Sequence, residues 1–284
     1  MQGNIDNNRD KIGIKLKIFY GIILLICIVA IIMAIYLQIK KDKKPNRQIS
    51  QNQTKQEQTT TEKEEFDNIF KNKVNYLKNN SYKINKIEQD KEIIYIGYQN
   101  QESKINDYEL NVNIPYINIQ NETIEKYNQE IAETFEKKAK SVLNIKNNDI
   151  VYTVNYSAYV TNNILSLVIK STLKEGNSPQ RNIIQTYNFD LTNQKEYTIQ
   201  EMLELREITK QQANQKIREE IKKVQENVAE LAKLGYSIYS RDIDNDMYTV
   251  NNITEYFIGQ DNKIYIIFAY GNTSNTSEMD IVTL

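Results

Sequence analysis

The chain has 284 residues with 8 glycines, 3 prolines and 40% hydrophobic residues, which fits one or two domains and excludes a collagen-like or Pro/Gly-rich disordered protein. It has no histidine and one cysteine, Cys27, which excludes Ser-His-Asp and Cys-His catalysis, zinc bound through imidazole, thiolate clusters and intrachain disulfides. Residues 1–65 hold 11 basic and 7 acidic residues, net +4, which leaves 25 basic and 30 acidic residues, net −5, for residues 66–284. An acidic folded part argues against nucleic acid as a partner.

The N-terminal part contains an apolar run from Ile18 to Leu37, 20 residues without a formal charge. At about 1.5 Å per residue, a helix of this length spans roughly 30 Å of hydrocarbon. The run is apolar on every face, unlike a buried core helix, and is longer than the apolar part of a cleaved signal peptide. We therefore predict a tail over residues 1–17 and a transmembrane helix over residues 18–39.

Basic residues flank this run on both sides, so the positive-inside rule leaves the orientation open. Residues 40–65 then contain one apolar residue, Ile49, among Lys, Gln, Thr and Glu. Such a composition cannot offset the entropy lost on ordering, so we predict a flexible polar stalk. Only residues 66–284 can bury a sizeable core.

Helical and strand periods occur in blocks in the folded part, beginning with a helix in its first half. Asn121 can cap a helix with apolar residues at helical spacing up to Val142. Alternating apolar residues over 150–160 and a buried run over 164–169 predict a hairpin around the turn at 161–163. A third antiparallel strand is expected over 183–189.

The second half begins with a capping box from Thr198 to Glu201, which predicts a short helix. A longer helix follows, with an apolar stripe that starts at Ile217 and a stop signal at Gly235. The stripe is shorter than three heptads, so packing against the protein's own sheet is favoured over a coiled-coil partner. Two strands, over 255–258 and 263–270, close the chain. The predicted class is α+β: an N-terminal transmembrane helix, then antiparallel sheets packed by two longer helices.

Two local motifs resemble known chemical sites but depart from them. Ser171 and Lys174 have the spacing of serine acyl-enzymes, which requires a helix, whereas this segment is predicted as a strand. Asp242, Asp244 and Asp246 alternate as in a calcium loop, but the glycine and the final glutamate of that loop are missing, so an acidic turn is the preferred interpretation.

A glycosidase could operate with two carboxylates and no histidine, but no acidic pair is singled out by the pattern. The 20 tyrosines are compatible with a surface on which sugars stack, although packing within strands is the better default. We therefore predict no catalytic residue, no metal site and no cofactor, and the binding residues stay unknown.

Three segments together resemble a bacterial domain pair of unknown function. They are YELNVNIPYINIQNETIEKYNQEI (108–131), YNFDLTNQKEYTIQEML (187–203) and EYFIGQDNKIYIIFAYGN (255–272). The domain pair forms the outer part of lysozyme-responsive membrane anti-sigma factors and accompanies some peptidoglycan deacetylases. The resemblance implies two extracytoplasmic α+β subdomains, over 66–190 and 191–284, on a Gram-positive type of cell. It also implies a cytoplasmic N-terminus.

The sequence departs from this family in three respects. The 17-residue tail is too short for a sigma-binding domain, and Gln38 to Arg47 lacks the small residues at which such proteins are cleaved. The histidines of the deacetylase metal site are missing. What carries over is a non-enzymatic, membrane-anchored module that binds or senses a cell-wall glycan, such as peptidoglycan, or a wall-directed protein such as lysozyme. An anti-sigma-type receptor and a carboxylate-dependent wall hydrolase are the alternatives. The expected partners are the lipid bilayer and this wall ligand.

Overall fold

The computed structural model describes four stretches of the chain: residues 66–77, 81–235, 240–270 and 278–284. All of them belong to one compact unit, Lys55–Leu284. The predicted tail (1–17), transmembrane helix (18–39) and stalk (40–65) lie outside the described residues. Within the four described stretches, no helix combines the length and the apolar character needed to cross a membrane.

The described residues form ten strands and three helices. The strands are β1 (Lys73–Tyr76), β2 (Ile94–Lys104), β3 (Tyr108–Ile117), β4 (Ile150–Thr161), β5 (Ile164–Glu175), β6 (Arg181–Asp190), β7 (Lys195–Glu196), β8 (Glu255–Ile258), β9 (Ile264–Tyr270) and β10 (Glu278–Thr283). Helix α1 covers residues 122–142 as the α-helix Glu122–Ile131, a π-helical turn Ala132–Glu136 and the α-helix Lys137–Val142. The other two helices are α2 (Ile199–Leu205) and α3 (Lys210–Lys233).

Seven strands form one large sheet in the order β2-β3-β4-β5-β6-β7, with β1 paired to β4. Strands β4, β5 and β6 are antiparallel neighbours, whereas β1 and β3 both run parallel to β4. The length of β4, 12 residues, allows both pairings along one edge: β3 pairs with Ile150–Val154 and β1 with Ser157–Val160. The large sheet is therefore mixed.

Helix α1 covers one face of the large sheet. Its buried residues Ile124, Ile131 and Phe135 belong to the same apolar cluster as Val154 of β4 and Leu167 of β5. Because side chains alternate between the two faces of a strand, the neighbours of these residues point to the opposite face. This arrangement places both faces of β4 and β5 in a core, which explains why these strands are buried along most of their length.

The small antiparallel sheet, in the order β10-β9-β8, packs against that opposite face. Tyr159 and Val168 of the large sheet share an apolar cluster with Phe257 of β8 and Ile267 of β9. Helix α3 covers the outer side of the small sheet, where its buried Ile217 lies in a cluster with residues of β8, β9 and β10. The order of layers is thus α1, large sheet, small sheet, α3.

A buried polar pair joins the two sheets. Ser166 of β5 donates a hydrogen bond to Asn188 of β6 (Oγ to Oδ1, 2.6 Å). The Asn188 amide donates to the carbonyl of Tyr256 (2.8 Å), and the Ile258 N–H donates to Ser166 Oγ (3.2 Å). Backbone groups of β8 are thereby satisfied by side chains of the neighbouring layer.

The predicted fold class, α+β with antiparallel sheets packed by two longer helices, is wrong, while the transmembrane helix that it placed first lies outside the described residues. The described part is mostly sheet, and its main sheet is mixed rather than antiparallel. The sequence prediction overlooked β2 because most of that strand is exposed and polar, so it shows no alternation of apolar residues. It also overlooked β3, although apolar residues alternate there at Tyr108, Leu110 and Val112, and the short strands β1, β7 and β10.

Several local predictions are confirmed. Asn121 caps α1 by accepting a hydrogen bond from Thr123 N–H (2.9 Å), and Thr198 and Glu201 form the capping box of α2. Strands β4, β5 and β6 form the predicted antiparallel succession. Helix α3 is followed by Gly235 at φ +88°. The apolar stripe of α3 packs in the core next to the small sheet, as favoured over a coiled coil. The division at residue 190 stays a prediction.

Candidate functional site

Two concavities of the described surface are candidates for a binding site. The larger has a volume of about 770 Å³ and follows α3, where Lys210, Arg218 and Lys222 face Ile243 and Asp244. Its described lining contains no aromatic residue and mixes both charge signs, since Glu219 also contributes. The smaller, of about 340 Å³, lies where the small sheet meets β1 and β4. Because it combines aromatic and polar side chains, the smaller one is the better candidate for a binding site.

We call this smaller concavity the hairpin groove. Its strand wall comes from the segment that enters β1, its hairpin wall from the turn between β8 and β9, and its floor from the buried layer between the sheets. The described lining residues are Asn68, Ile69, Lys71, Lys73 and Asn75 (strand wall), Gly259, Gln260, Asp261 and Tyr265 (hairpin wall), and Tyr159 and Phe257 (floor).

Three aromatic rings form a stack from the floor to the hairpin wall. The ring centroids of Tyr159 and Phe257 are 6.0 Å apart with an interplanar angle of 16°. Those of Phe257 and Tyr265 are 4.8 Å apart at 9°. Phe257 and Tyr265 are directly opposite each other in the β8–β9 ladder, which brings their side chains together on one face. The two inner rings are buried and Tyr265 is partly exposed, so the stack presents one aromatic ring to the groove.

Gly259 allows the outer ring to lie across the hairpin. A Cβ atom at this position would be 2.6 Å from a ring carbon of Tyr265 and 2.9 Å from an oxygen of Asp261. Any larger residue would therefore push the ring or the acidic side chain out of place. The placement of Tyr265 depends on this glycine.

The hairpin turn is held by hydrogen bonds on its outer side. Asn262 adopts a left-handed conformation (φ 63°), and Arg206 donates to its carbonyl (2.5 Å) and to its side chain (2.6 Å). Inside the turn, Asp261 accepts from the Lys263 N–H (3.2 Å) and from the Tyr265 hydroxyl (3.1 Å). The Gln260 amide has no hydrogen-bond partner among the described residues and is exposed at the rim of the groove.

The strand wall takes its shape from the way the chain enters β1. Asn72 has a left-handed backbone (φ 53°), and its side chain bonds to Asn155 Oδ1 (2.9 Å) and to the Tyr156 N–H (3.0 Å). Lys73 and Asn75 alternate along the extended β1 and so share one side, and Lys71 reaches the same groove from before the bend at Asn72.

The two lysines of the groove have no charged partner among the described residues, whereas its carboxylate has one. Lys71 and Lys73 are exposed, and neither side chain forms an ion pair or hydrogen bond with another described residue. Asp261 is the one carboxylate among the described lining residues, and Lys263 lies 3.4 Å from it. Burial raises the pKa of Tyr159, so the floor carries no charge at neutral pH.

This set of groups can bind a polyhydroxylated ligand. An aromatic ring offers a face for apolar C–H groups, while amides and a carboxylate exchange hydrogen bonds with hydroxyls. Hydrolysis of a glycoside requires two carboxyl groups roughly 5 to 9.5 Å apart. Since the described lining supplies one, the arrangement fits binding better than hydrolysis.

The residues singled out by sequence do not form this site. Ser171 is buried in β5, while Lys174 is exposed and donates to the Ser178 carbonyl (3.0 Å), so they lie apart as expected for a strand. Asp242 accepts from the Asp244 N–H (3.1 Å) in a turn, and the described residues contain no cluster of three His, Cys, Asp or Glu that could hold a metal.

The tyrosines divide into two groups. Strand packing, the favoured interpretation, is confirmed for the six buried tyrosines that lie in strands, Tyr108, Tyr152, Tyr156, Tyr159, Tyr187 and Tyr256, whereas Tyr127, Tyr197 and Tyr248 are buried outside strands. Tyr265 differs, because its ring is at the groove. The alternation of Lys71, Lys73 and Asn75 and the polar turn after β8 were the available signals for the groove. Neither indicates that the two segments meet.

No protein-family model matches the chain, and no curated protein matches its sequence. The hairpin groove therefore has to be interpreted from its own residues.

Proposed function

We propose that residues 66–284 are the extracytoplasmic part of a membrane-anchored module that captures a cell-wall glycan in the hairpin groove. The observation that carries the proposal is the aromatic stack that ends in Tyr265, set between two walls with amide side chains. The apolar run at residues 18–37 and the resemblance described above support the membrane anchor and the outward orientation.

The stack would bind the apolar face of a sugar ring. Two of its rings are fixed in the core, so Tyr265 loses little freedom when a ligand covers it. Such preorganisation lowers the entropic cost of binding. Asn68, Asn75 and Gln260 would then pair with hydroxyl or acetamido groups at the edges of the sugar.

A cationic wall-directed protein, such as lysozyme, is the second candidate ligand. It is favoured by the net charge of −5 on residues 66–284. Association steered by net charge falls steeply with salt, because the Debye length decreases from about 10 Å at 0.1 M to about 3 Å at 1 M. A glycan that stacks on Tyr265 would bind with weak salt dependence.

The test is calorimetric titration of the full-length chain in detergent with β-1,4-linked N-acetylglucosamine oligomers and, separately, with lysozyme. We expect Tyr265→Ala to weaken glycan binding at least tenfold, because truncation of an aromatic anchor costs about 1.4 kcal/mol or more. Gln260→Ala, which removes no described contact, should weaken it about threefold, equivalent to roughly 0.6 kcal/mol.

Tyr98→Ala on β2 is the matched control, since this tyrosine does not line the groove, and it should retain full affinity. Thermal unfolding of each variant separates loss of the site from loss of the fold. If the glycan does not bind while lysozyme does, the second candidate replaces the first. Release of muropeptides by the purified chain would instead support the hydrolase alternative.

A further inference from the structure

The strand wall of the hairpin groove carries two lysines, Lys71 and Lys73, without an ion-pair partner among the described residues. Of the 18 other lysines in the described part of the chain, 11 form ion pairs. Ion pairs with acidic residues are formed by Lys91, Lys104, Lys137, Lys138, Lys140, Lys170, Lys195, Lys216, Lys223, Lys233 and Lys263. Asp67 is close in sequence to Lys71 and Lys73, yet it pairs with Lys170. The two lysines thus face the groove with their charges unneutralised.

These lysines oppose the net charge of the folded part. Residues 66–284 carry −5, so a local pair of cations beside an aromatic ring is not explained by the overall composition. They flank Asn72, whose left-handed backbone (φ 53°) bends the chain, so their Cα atoms are closer together than the roughly 7 Å of an extended segment. Two ammonium groups at this spacing, on flexible stems, can both reach a single small anion between them.

We infer that the glycan bound in the hairpin groove is an acidic saccharide, and that Lys71 and Lys73 bind its carboxylate. The inference rests on the proposed glycan function and specifies its ligand. The hairpin wall gives the ligand a direction, because Asp261 repels a carboxylate while Gln260 accepts neutral polar groups. The acidic group therefore faces the strand wall, and the neutral edge of the sugar faces the hairpin.

The charge density of the ligand is limited by the same residues. Two cations oppose one carboxylate in the described lining, and residues 66–284 carry a net charge of −5. A polymer with one carboxylate per disaccharide meets this balance. A polyphosphate, with a charge on every unit, would be repelled by the remaining surface.

The test compares two ligands that differ in one charged group. Peptide-free oligomers of N-acetylglucosamine and N-acetylmuramic acid are used with their lactyl carboxylates free or converted to methylamides. The full-length chain in detergent is titrated with each at low and high salt. We expect the free acid to bind about 3- to 10-fold more tightly at low salt, the range of one or two exposed ion pairs, and this advantage to vanish near 1 M salt.

The double variant Lys71→Gln/Lys73→Gln should bind the free acid no more tightly than it binds the methylamide. Lys210→Gln/Lys222→Gln, which removes two lysines of the concavity along α3, is the matched control and should retain the preference for the free acid over the methylamide.

Equal affinity of the wild type for the free acid and the methylamide would overturn the inference and leave the glycan function intact. If neither form binds, the proposed function itself fails. Polyphosphate binding that equals the free acid and disappears in the groove variant would identify a general anion site, which also overturns the inference.

Discussion

At the scale of single residues, one buried hydroxyl group, that of Thr161, is expected to lower the stability of the fold. Thr161, at the end of β4, is 2% exposed, and its hydroxyl has no hydrogen-bond partner among the described residues. A buried donor without a partner costs about 1 to 3 kcal/mol. We therefore expect Thr161→Val, which keeps the shape of the side chain, to raise the free energy of unfolding by about 1 kcal/mol in urea titrations. Ser166→Ala is the control and should lower it, because the Ser166 hydroxyl joins two sheets. A loss of stability in Thr161→Val would show that the hydroxyl has a partner.

Glu255 of β8 gives a prediction of pH dependence. Burial raises the pKa of its carboxyl group above the usual range, Glu130 adds to the increase, and hydrogen bonds from Thr186 oppose it. The folded state therefore binds this proton more tightly than the unfolded state does. Its contribution to stability is complete below the usual pKa and is lost as pH rises through the raised pKa.

Glu255→Gln removes this titration while retaining an acceptor for Thr186, whose N–H and hydroxyl donate to one Glu255 oxygen (3.0 and 2.6 Å). We subtract the free energy of unfolding of Glu255→Gln from that of the wild type. This difference should decrease as pH rises from about 4.3 towards 7. Urea titrations at several pH values measure this difference. A difference that increases with pH would mean that the carboxylate form is favoured in the folded state.

At the scale of elements, the edge strand β10 depends on one buried ion pair. Asp280 of β10 accepts from Arg241 through Nε (3.1 Å) and Nη2 (2.9 Å) and from the Tyr248 hydroxyl (3.1 Å). The Arg241 and Asp280 side chains are only 8% and 4% exposed. We expect Arg241→Met to lower the free energy of unfolding by about 3 to 5 kcal/mol, because it leaves a buried carboxylate without its counter-ion.

The double variant Arg241→Met/Asp280→Leu should be more stable than Arg241→Met alone, since no uncompensated charge remains. A double-mutant cycle of denaturant unfolding measures the coupling. If the two losses simply add, the pair is not coupled and β10 is held by its apolar contacts.

At the scale of the whole molecule, the hairpin groove is formed by residues from both sheets, so its position depends on the order of the layers. Tyr159 comes from the large sheet, Phe257 and Tyr265 from the small sheet, and the strand wall from the chain before β4. The groove therefore exists only when the two sheets are stacked. Nine tyrosines of the described residues are buried in the core, and the sugar-binding role that we propose concerns the one ring at the edge of the stack.

The sequence by itself determined the features whose causes are local. The start of α1 at Asn121, the β4–β5 hairpin and the end of α3 before Gly235 each follow from a capping side chain, an alternation or a glycine within a few residues. Only the tertiary structure decided that β1 and β3 run parallel to β4, and that Lys71 and Lys73 face the β8–β9 turn. Parallel pairing and sheet stacking join segments far apart in the chain, and their free energy comes from shared burial that no local period records.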